Sequence, residues 1–320
     1  MPKVIVVGDV NVDIVINFPK YIDVNRGLVD FSQPSTGGGG TAGNTAVALA
    51  RLGIATGFIG TIGDDYSGRL VLKSLKKEGI DTSGIVVDKN LNTVNVFAFV
   101  DPQGERFLWG WPREHRSFKV LDPNKISFES ICSANWIHST GMCLIEDASA
   151  CRTITDIFKT AHERGIPTSL DLNLRIDNGI FAPEHRQAIN EILPYVDHVL
   201  GSGPEEYIYL GGKDWIDNAR VLAQKNRTVI ARDGEKGSIG FIDDCEVFSP
   251  GFVVEVVDTI GAGDAFNAGY ILAKLKGKSL KESLRYGNAV AAINVSKIGG
   301  RGAPTLTELS AFLILINNYK

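Results

Sequence analysis

Short apolar runs alternate with amphipathic segments along most of the chain. "KVIVVGD" at residues 3–9 is a continuous apolar run and predicts a buried first strand. "NTAVALARLG" repeats apolar residues at helical spacing and ends at Gly53, so it predicts a helix with a glycine stop. "TGFIGTIG" predicts a strand, and "YSGRLVLKSLKKEGI" a helix that ends at Gly79. "NWIHST" and "PTSLDLN" predict further strands. "CRTITDIFKTAHERG" and "HRQAINEILPYV" predict helices, and "HVLGS" and "TVIARDG" continue the strand series. This order predicts an α/β fold: a central, mostly parallel twisted sheet with helices on both faces.

Two regions break the rhythm. "NVDIVINFPKYIDVNRGLVDFSQPSTGGGG" is too irregular for a helix. "TVNVFAFVDPQGERFLWGW" alternates in period two around "DPQG", the pattern of a hairpin and its turn. Both flank a βαβ-like block. They predict a small β-sheet lid, formed by about 12–37 and 91–116, on a single domain spanning 1–320; edge strands of the main sheet are the alternative.

Composition narrows the function classes. Hydrophobic residues make up 44% of the 320, charged residues 22%, and the formal net charge is -4. These values describe an ordinary globular protein and argue against nucleic acid as the main partner. No transmembrane span or signal-peptide layout is visible, so the expectation is a cytoplasmic protein with no membrane partner. Cys132, Cys143, Cys151 and Cys245 lack C-x-x-C spacing and read as buried free thiols. His115, beside arginines, is the one histidine retained as a substrate contact; a solvated surface residue is the alternative.

The chemistry concentrates in "DTIGAGDAF". Gly261, Ala262 and Gly263 let a ligand approach the backbone, and amides at a helix start carry partial positive charge. Together they suit the charge that develops in phosphoryl transfer. Asp264 beside them can accept a proton from an attacking hydroxyl. A bare G-x-G-D also fits an ordinary helix start with an acidic first turn. Phe266 occupies the place of the third glycine of a dinucleotide fingerprint, and Leu272 the place of the first glycine of a P-loop ahead of "GKS". Any ATP handling proceeds without a P-loop.

"DTIGAGDAFNAGYI" resembles the C-terminal signature of the ribokinase-like carbohydrate kinases, also called the phosphofructokinase-B type. "GGTAGNTAVALARLGIATGFIGTIG" resembles that family's glycine-rich substrate segment, and "GDVNVD" its opening strand. The resemblance runs in order along nearly the whole chain. It implies ATP and Mg2+ as cofactors and Asp264 as the general base. The amides of Gly261, Ala262 and Gly263 become the anion hole. Asp13, Gly39, Gly40 and Asn44 are implied to bind sugar hydroxyls, with Asn11 beside them; Asn44 equally suits a helix cap.

The nucleotide side departs from the family pattern. "RDGEKG" keeps Gly234 and Gly237 but places Arg232 where threonine is usual. "GSGPEEY" supplies Glu205 or Glu206 for the acid that helps place Mg2+, but Ser202 or Gly203 stands for the usual asparagine. Asn288 matches a position near the adenine, or else is a polar residue on a helix of small side chains. The resemblance further implies a K+ site at Asp258 closed by "KIGGRG", unless Arg301 replaces the ion.

The acceptor is less defined. Arg175 in "DLNLR" and Arg113 and Arg116 in "WGWPREHRSF" suit a substrate anion or ATP phosphates, and Trp109 and Trp111 suit a sugar ring. A solvated basic loop is the alternative for the latter stretch. The expected acceptor is a hexose such as fructose. The alternatives are 2-keto-3-deoxygluconate, ribose, a nucleoside, or none in a non-catalytic regulator. Edge logic and the resemblance suggest a homodimer through the lid.

Overall fold

In the computed structural model, residues 3–17, 33–101, 106–145, 148–212, 214–223 and 227–318 are described. The chain runs β1 (Lys3–Val7), β2 (Asn11–Asn17), β3 (Ser35–Gly39), α1 (Thr41–Arg51), β4 (Ala55–Gly63), α2 (Tyr66–Lys77) and β5 (Asp81–Asp88). It continues through β6 (Asn95–Val100), β7 (Arg106–Trp111), α3 (Phe128–Cys132), β8 (Trp136–Thr140), α4 (Ser149–Glu163) and β9 (Thr168–Asp171). Then follow β10 (Ile176–Asp177), β11 (Ile180–Phe181), α5 (Pro183–Ile192), β12 (His198–Ser202), α6 (Trp215–Ala223) and β13 (Thr228–Arg232). The last elements are β14 (Gly237–Ile242), β15 (Cys245–Pro250), α7 (Ala262–Leu275), α8 (Leu280–Val295) and α9 (Leu306–Asn318).

A 9-stranded sheet has the order β15-β14-β13-β12-β9-β8-β1-β4-β5. Neighbours from β13 to β5 are parallel, and β14 and β15 add an antiparallel hairpin at one edge. The hairpin is absent from the strand series read in the sequence. The alternation within β1 explains the layers. Val4 and Val6 pack into one core with α1, α7, α8 and α9, while Ile5 and Val7 pack into a second core with α4, α5 and α6. A strand covered on both faces is apolar throughout, as "KVIVV" is.

A separate 4-stranded sheet has the order β3-β2-β6-β7. β6 and β7 pair as the expected hairpin, from Asn95 opposite Trp111 to Val100 opposite Arg106. The "PQGE" of its turn and residues 18–32 lie outside the described residues. β3 runs directly into α1, so the small sheet and a helix of the main layer meet at Gly40.

The connection reverses direction between β1 and β8. β4 and β5 lie on one side of β1, and β8 and β9 on the other. Open α/β sheets bind ligands in the crevice at the carboxyl ends of strands at such a point. Here that crevice begins at Gly8 and Asp9. The four cysteines are free; Cys143 and Cys151 are buried, but Cys245 is exposed because β15 lies at the sheet edge.

Candidate active site

Asp9 leaves β1 at the crevice and satisfies the start of α1. Its carboxylate accepts from the Thr41 amide at 2.9 Å, the Thr41 hydroxyl at 2.9 Å and the Ala42 amide at 3.1 Å. The residue before the helix, Gly40, has no side chain to cap it, so a carboxylate from another segment caps orphan amides. Asn44 therefore does not act as the cap. It lies inside α1, and its side chain is free to reach across the crevice.

It reaches Asp264. Asn44 Nδ2 donates to Asp264 Oδ2 at 3.0 Å. Asp264 sits in the first turn of α7, is 7% exposed, and its other oxygen, Oδ1, has no hydrogen-bond partner among the described residues. Burial pushes the Asp264 carboxyl up to about 8; the Asn44 amide works against that rise, and the negative charges of Asp171 and Asp9 add to it. The carboxyl therefore holds its proton below about pH 8 and can accept one above it, close enough to neutral pH for proton exchange. The buried imidazoles of His138 and His198 are pushed by burial down to about 4 and about 3, so they stay neutral.

The loop before Asp264 is backbone throughout. Gly261 adopts φ 74, a left-handed conformation, and a Cβ there would fall 2.2 Å from the Gly300 carbonyl oxygen. Only glycine meets both conditions. Ala262 and Gly263 open α7, so this loop and the helix start present amides and a helix-dipole positive end beside Asp264.

On the other wall, Asn11 Nδ2 donates to Asp13 Oδ1 at 2.6 Å. Burial raises the Asp13 carboxyl above its ordinary value, while Asn11 and the charge of Arg301 oppose the rise. A Cβ on Gly39 would lie 2.2 to 2.3 Å from the Asp13 carboxyl atoms, so the glycine makes room for the acid. Asn11, Asp13, Gly39, Gly40 and Asn44 are thereby gathered where β2 and β3 meet α1.

The sequence profile of the pfkB family carbohydrate kinases matches residues 1–306. The chain belongs to that family. Its family chemistry is transfer of a phosphoryl group to a sugar hydroxyl. It is 31% identical over 314 residues to the ATP-dependent ribose-1-phosphate kinase of Halopiger xanaduensis, covering 98% of each chain. It is 30% identical over 304 residues to fructokinase-2 of Oryza sativa, covering 90% of this chain and 89% of that one. Among solved structures, a fructokinase from Xylella fastidiosa with bound ATP superposes with a TM-score of 0.83 at 24% identity, over 98% of this chain and 99% of that one. A ribokinase from Thermotoga maritima superposes with a TM-score of 0.79 at 24% identity, over 98% and 99%. The last two comparisons show the fold.

Several positions singled out on the family pattern have a definite environment. Arg232 lies against the Gly263 end of the loop before Asp264 with its side chain 16% exposed. It donates to both Asp171 oxygens, to the Gly263 carbonyl at 3.2 Å and to Asn267 Oδ1 at 2.8 Å. Glu206 accepts from the Leu174 amide at 2.6 Å and the Ser202 amide at 2.5 Å, and burial pushes it up to about 7, with Asp171 adding to the rise. An asparagine at 203 would meet Trp215, whose ring atoms lie 2.7 Å from a Cβ built there. Asn288 donates to the carbonyls of Ser249 and Pro250 at 3.0 and 3.1 Å, which ties α8 to the end of β15. Gly234 and Gly237 bracket the turn into β14, and the space around Gly234 is open.

Asp258 Oδ1 and Oδ2 accept the Ile260 and Gly299 amides at 2.8 and 2.9 Å. Arg301 turns away from that loop and donates to Ser74 Oγ, Asn44 Oδ1 and the Gly39 carbonyl, so it does not stand in for an ion there. Arg113, His115 and Arg175 are exposed; Arg175 Nε lies 3.1 Å from Met142 Sδ. The Arg232–Asp171–Asn267 cluster escaped sequence reasoning. Asn267 stands three residues after Asp264 on one helix face, which is the signal that could have found it.

Proposed function

We propose that this pfkB-family kinase transfers the γ-phosphoryl of ATP to a hydroxyl of a small sugar, with fructose the first acceptor to test. The observation that carries this reading is the buried Asp264 at the start of α7, bonded through Asn44 to the sugar-side segment. Asp264 Oδ1 would accept the hydroxyl proton. The amides of Gly261, Ala262 and Gly263 would hold the charge on the transferred group. Asp13, Asn11, Asn44 and the backbone of Gly39 and Gly40 would orient the sugar. When bound, ATP supplies the phosphoryl group and Mg2+ neutralises its phosphates.

The residues fit those groups. The helix start and the open turn at Gly234 suit phosphates, with Arg232, Gly237 and Asn288 framing the nucleotide side through the backbone they hold. Mg2+ commonly rests on one or two carboxylates plus substrate phosphates, for which the Glu206 carboxylate is available through water. K+ prefers oxygen donors. The Oδ1 of Asn294 is buried with no hydrogen-bond partner among the described residues, near the loop that Asp258 ties down.

Two features bear on the acceptor and the assembly. Arg113 and Arg175 are exposed, so neither forms a buried anion pocket, which supports a neutral hexose. The Halopiger relative, matched over 98% of each chain, carries the second reading, ribose-1-phosphate. We further propose a single domain whose small sheet serves as lid and homodimer surface. Ile14, Phe97 and Trp109 share one face by register, as do Ile16, Phe99 and Phe107, and Asp13 points to the opposite face. Phe107, Trp109 and Trp111 are 67%, 42% and 52% exposed, an apolar surface that a second copy would cover. No helix among the described residues is long and apolar enough to cross a membrane.

The test is an ATP-coupled screen over fructose, ribose, ribose-1-phosphate, 2-keto-3-deoxygluconate and nucleosides. The expected result is phosphorylation of fructose above the others. A preference for ribose-1-phosphate would replace the first acceptor by the second. Activity on nucleosides alone would overturn the sugar reading, and no ATP turnover with any acceptor would overturn the kinase reading.

A further inference from the structure

Asn44 touches two groups of opposite character. Its Nδ2 donates to the Asp264 carboxylate at 3.0 Å, and its Oδ1 accepts from Arg301 Nε at 3.3 Å. A carboxylate only accepts and a guanidinium only donates. Flipping the amide would set its oxygen against the carboxylate and its NH2 against the guanidinium, so both contacts would become repulsive. Arg301 is itself held. Nη1 donates to Ser74 Oγ of α2 at 2.7 Å, and Nη2 to the Gly39 carbonyl of β3 at 3.3 Å. Gly38 admits it, because a Cβ there would fall 2.2 to 2.7 Å from the guanidinium atoms. Its neighbour Gly300 packs on Gly261 from one side and near the Asn44 amide from the other.

We infer that Arg301 is a positioning residue for the phosphoryl transfer: it locks the Asn44 amide so that its NH2, not its oxygen, faces the Asp264 carboxylate. This rests on Asp264 being the base. The lock does two things. It keeps a donor on Oδ2, which favours the ionised carboxylate, and it leaves Oδ1 for the sugar hydroxyl. It also ties the C-terminal loop behind the anion hole to the glycine-rich sugar segment, two stretches about 260 residues apart in sequence. Around Asp264, the charges of Asp9, Asp171 and Arg232 act alongside the amide; around Arg301, those of Asp13, Glu78 and Arg51 do so.

The experiment compares Arg301→Met, Arg301→Lys, Ser74→Ala and Asn44→Ala, singly and with Arg301→Met combined with Asn44→Ala, on the full chain with the best acceptor of the screen. Arg301→Met should lower kcat by roughly 10- to 10²-fold and move the acid limb of the kcat–pH profile up by about one pH unit, with the ATP KM little changed. The double variant should be no slower than Asn44→Ala alone, because both changes break one relay. Arg301→Lys keeps the charge but not the fork and should fall between wild type and Arg301→Met. Ser74→Ala, which loosens Arg301 without touching the base, should shift the acid limb in the same direction by less, and it keeps the test open if Arg301→Met fails to fold. An unmoved pH profile, or additive losses in the double variant, would overturn the relay. Full turnover in Asp264→Asn would instead remove the base itself.

Discussion

Arg232 Nη2 lies 2.7 Å from Asp171 Oδ1, and its Nη1 lies 3.3 Å from Oδ2, so the two side chains form a forked pair directly under the start of α7. The same guanidinium holds the Gly263 carbonyl and Asn267, which fixes the first turn of α7 against β9 and β13. Burial works against the Arg232 charge, and the Asp171 carboxylate more than restores it. A threonine at this position has no guanidinium fork and could not make this clamp.

Arg232→Met should therefore destabilise the fold by about 3–5 kcal/mol, the scale for leaving one member of a buried ion pair uncompensated. Urea unfolding measures it. The same variant should lower turnover, because the anion loop loses its support. A loss below about 1 kcal/mol would mean that Asp171 is satisfied without its partner.

Asp264→Asn should bind sugar and ATP nearly as wild type but turn over roughly 10²–10⁴-fold more slowly, the scale for a general base. It should also change stability in a definite direction with pH. Burial pushes the folded-state Asp264 carboxyl up to about 8, from the ordinary 3.8 of an exposed aspartate. The folded protein therefore holds a proton that the unfolded chain has released. The resulting stability is present below about pH 4 and is lost as pH rises through about 8. Wild type should lose Tm relative to Asp264→Asn between pH 5 and pH 9. A Tm difference that stays constant over that range would rule out the raised pKa.

Gly263→Val should inactivate the enzyme while the chain still folds. A Cβ at this position would stand 3.2 Å from the Arg232 guanidinium, so two further methyls press on the clamp and on the phosphoryl path. Steady-state turnover alongside a circular dichroism melt separates the effects. Wild-type turnover would make the loop a structural turn only.

Asp13→Ala should raise the sugar KM strongly and leave the ATP KM much less changed. A hydrogen bond to a charged group is worth about 1.5–3 kcal/mol, which corresponds to a KM rise of roughly 10- to 10²-fold. Titrating each substrate with the other saturating measures this. A shift in the ATP KM alone would reverse the assignment of the two half-sites.

Much of the architecture was legible because its signals are local. The apolar run of β1, the helical spacing of α1 and α2 with their terminal glycines, and the alternation of β6 and β7 each follow from how a short segment buries its own apolar face. The glycine-rich turn before α7 was legible for the same reason: "IGAGD" states its backbone demand in five consecutive residues. The β14–β15 hairpin escaped, because β14 mixes glycines and a serine with its apolar residues, β15 is mostly exposed, and the two close on the aspartates Asp243 and Asp244, so the apolar pattern is weak.

By itself, the sequence determined the layered α/β fold, the small sheet, and the residue types that meet at the crevice. Only the tertiary structure decided what each polar residue there is for. Asp9 caps α1, Asn44 reaches Asp264 instead, Arg232 pairs inward with Asp171, and Arg301 grips Asn44 rather than the loop of Asp258. The physical reason is range. Periodicity and turn chemistry are set by neighbours along the chain. A buried hydrogen bond is set by whichever partner the packed helices and strands bring within 3 Å or so, often 200 residues away, and burial makes that choice obligatory.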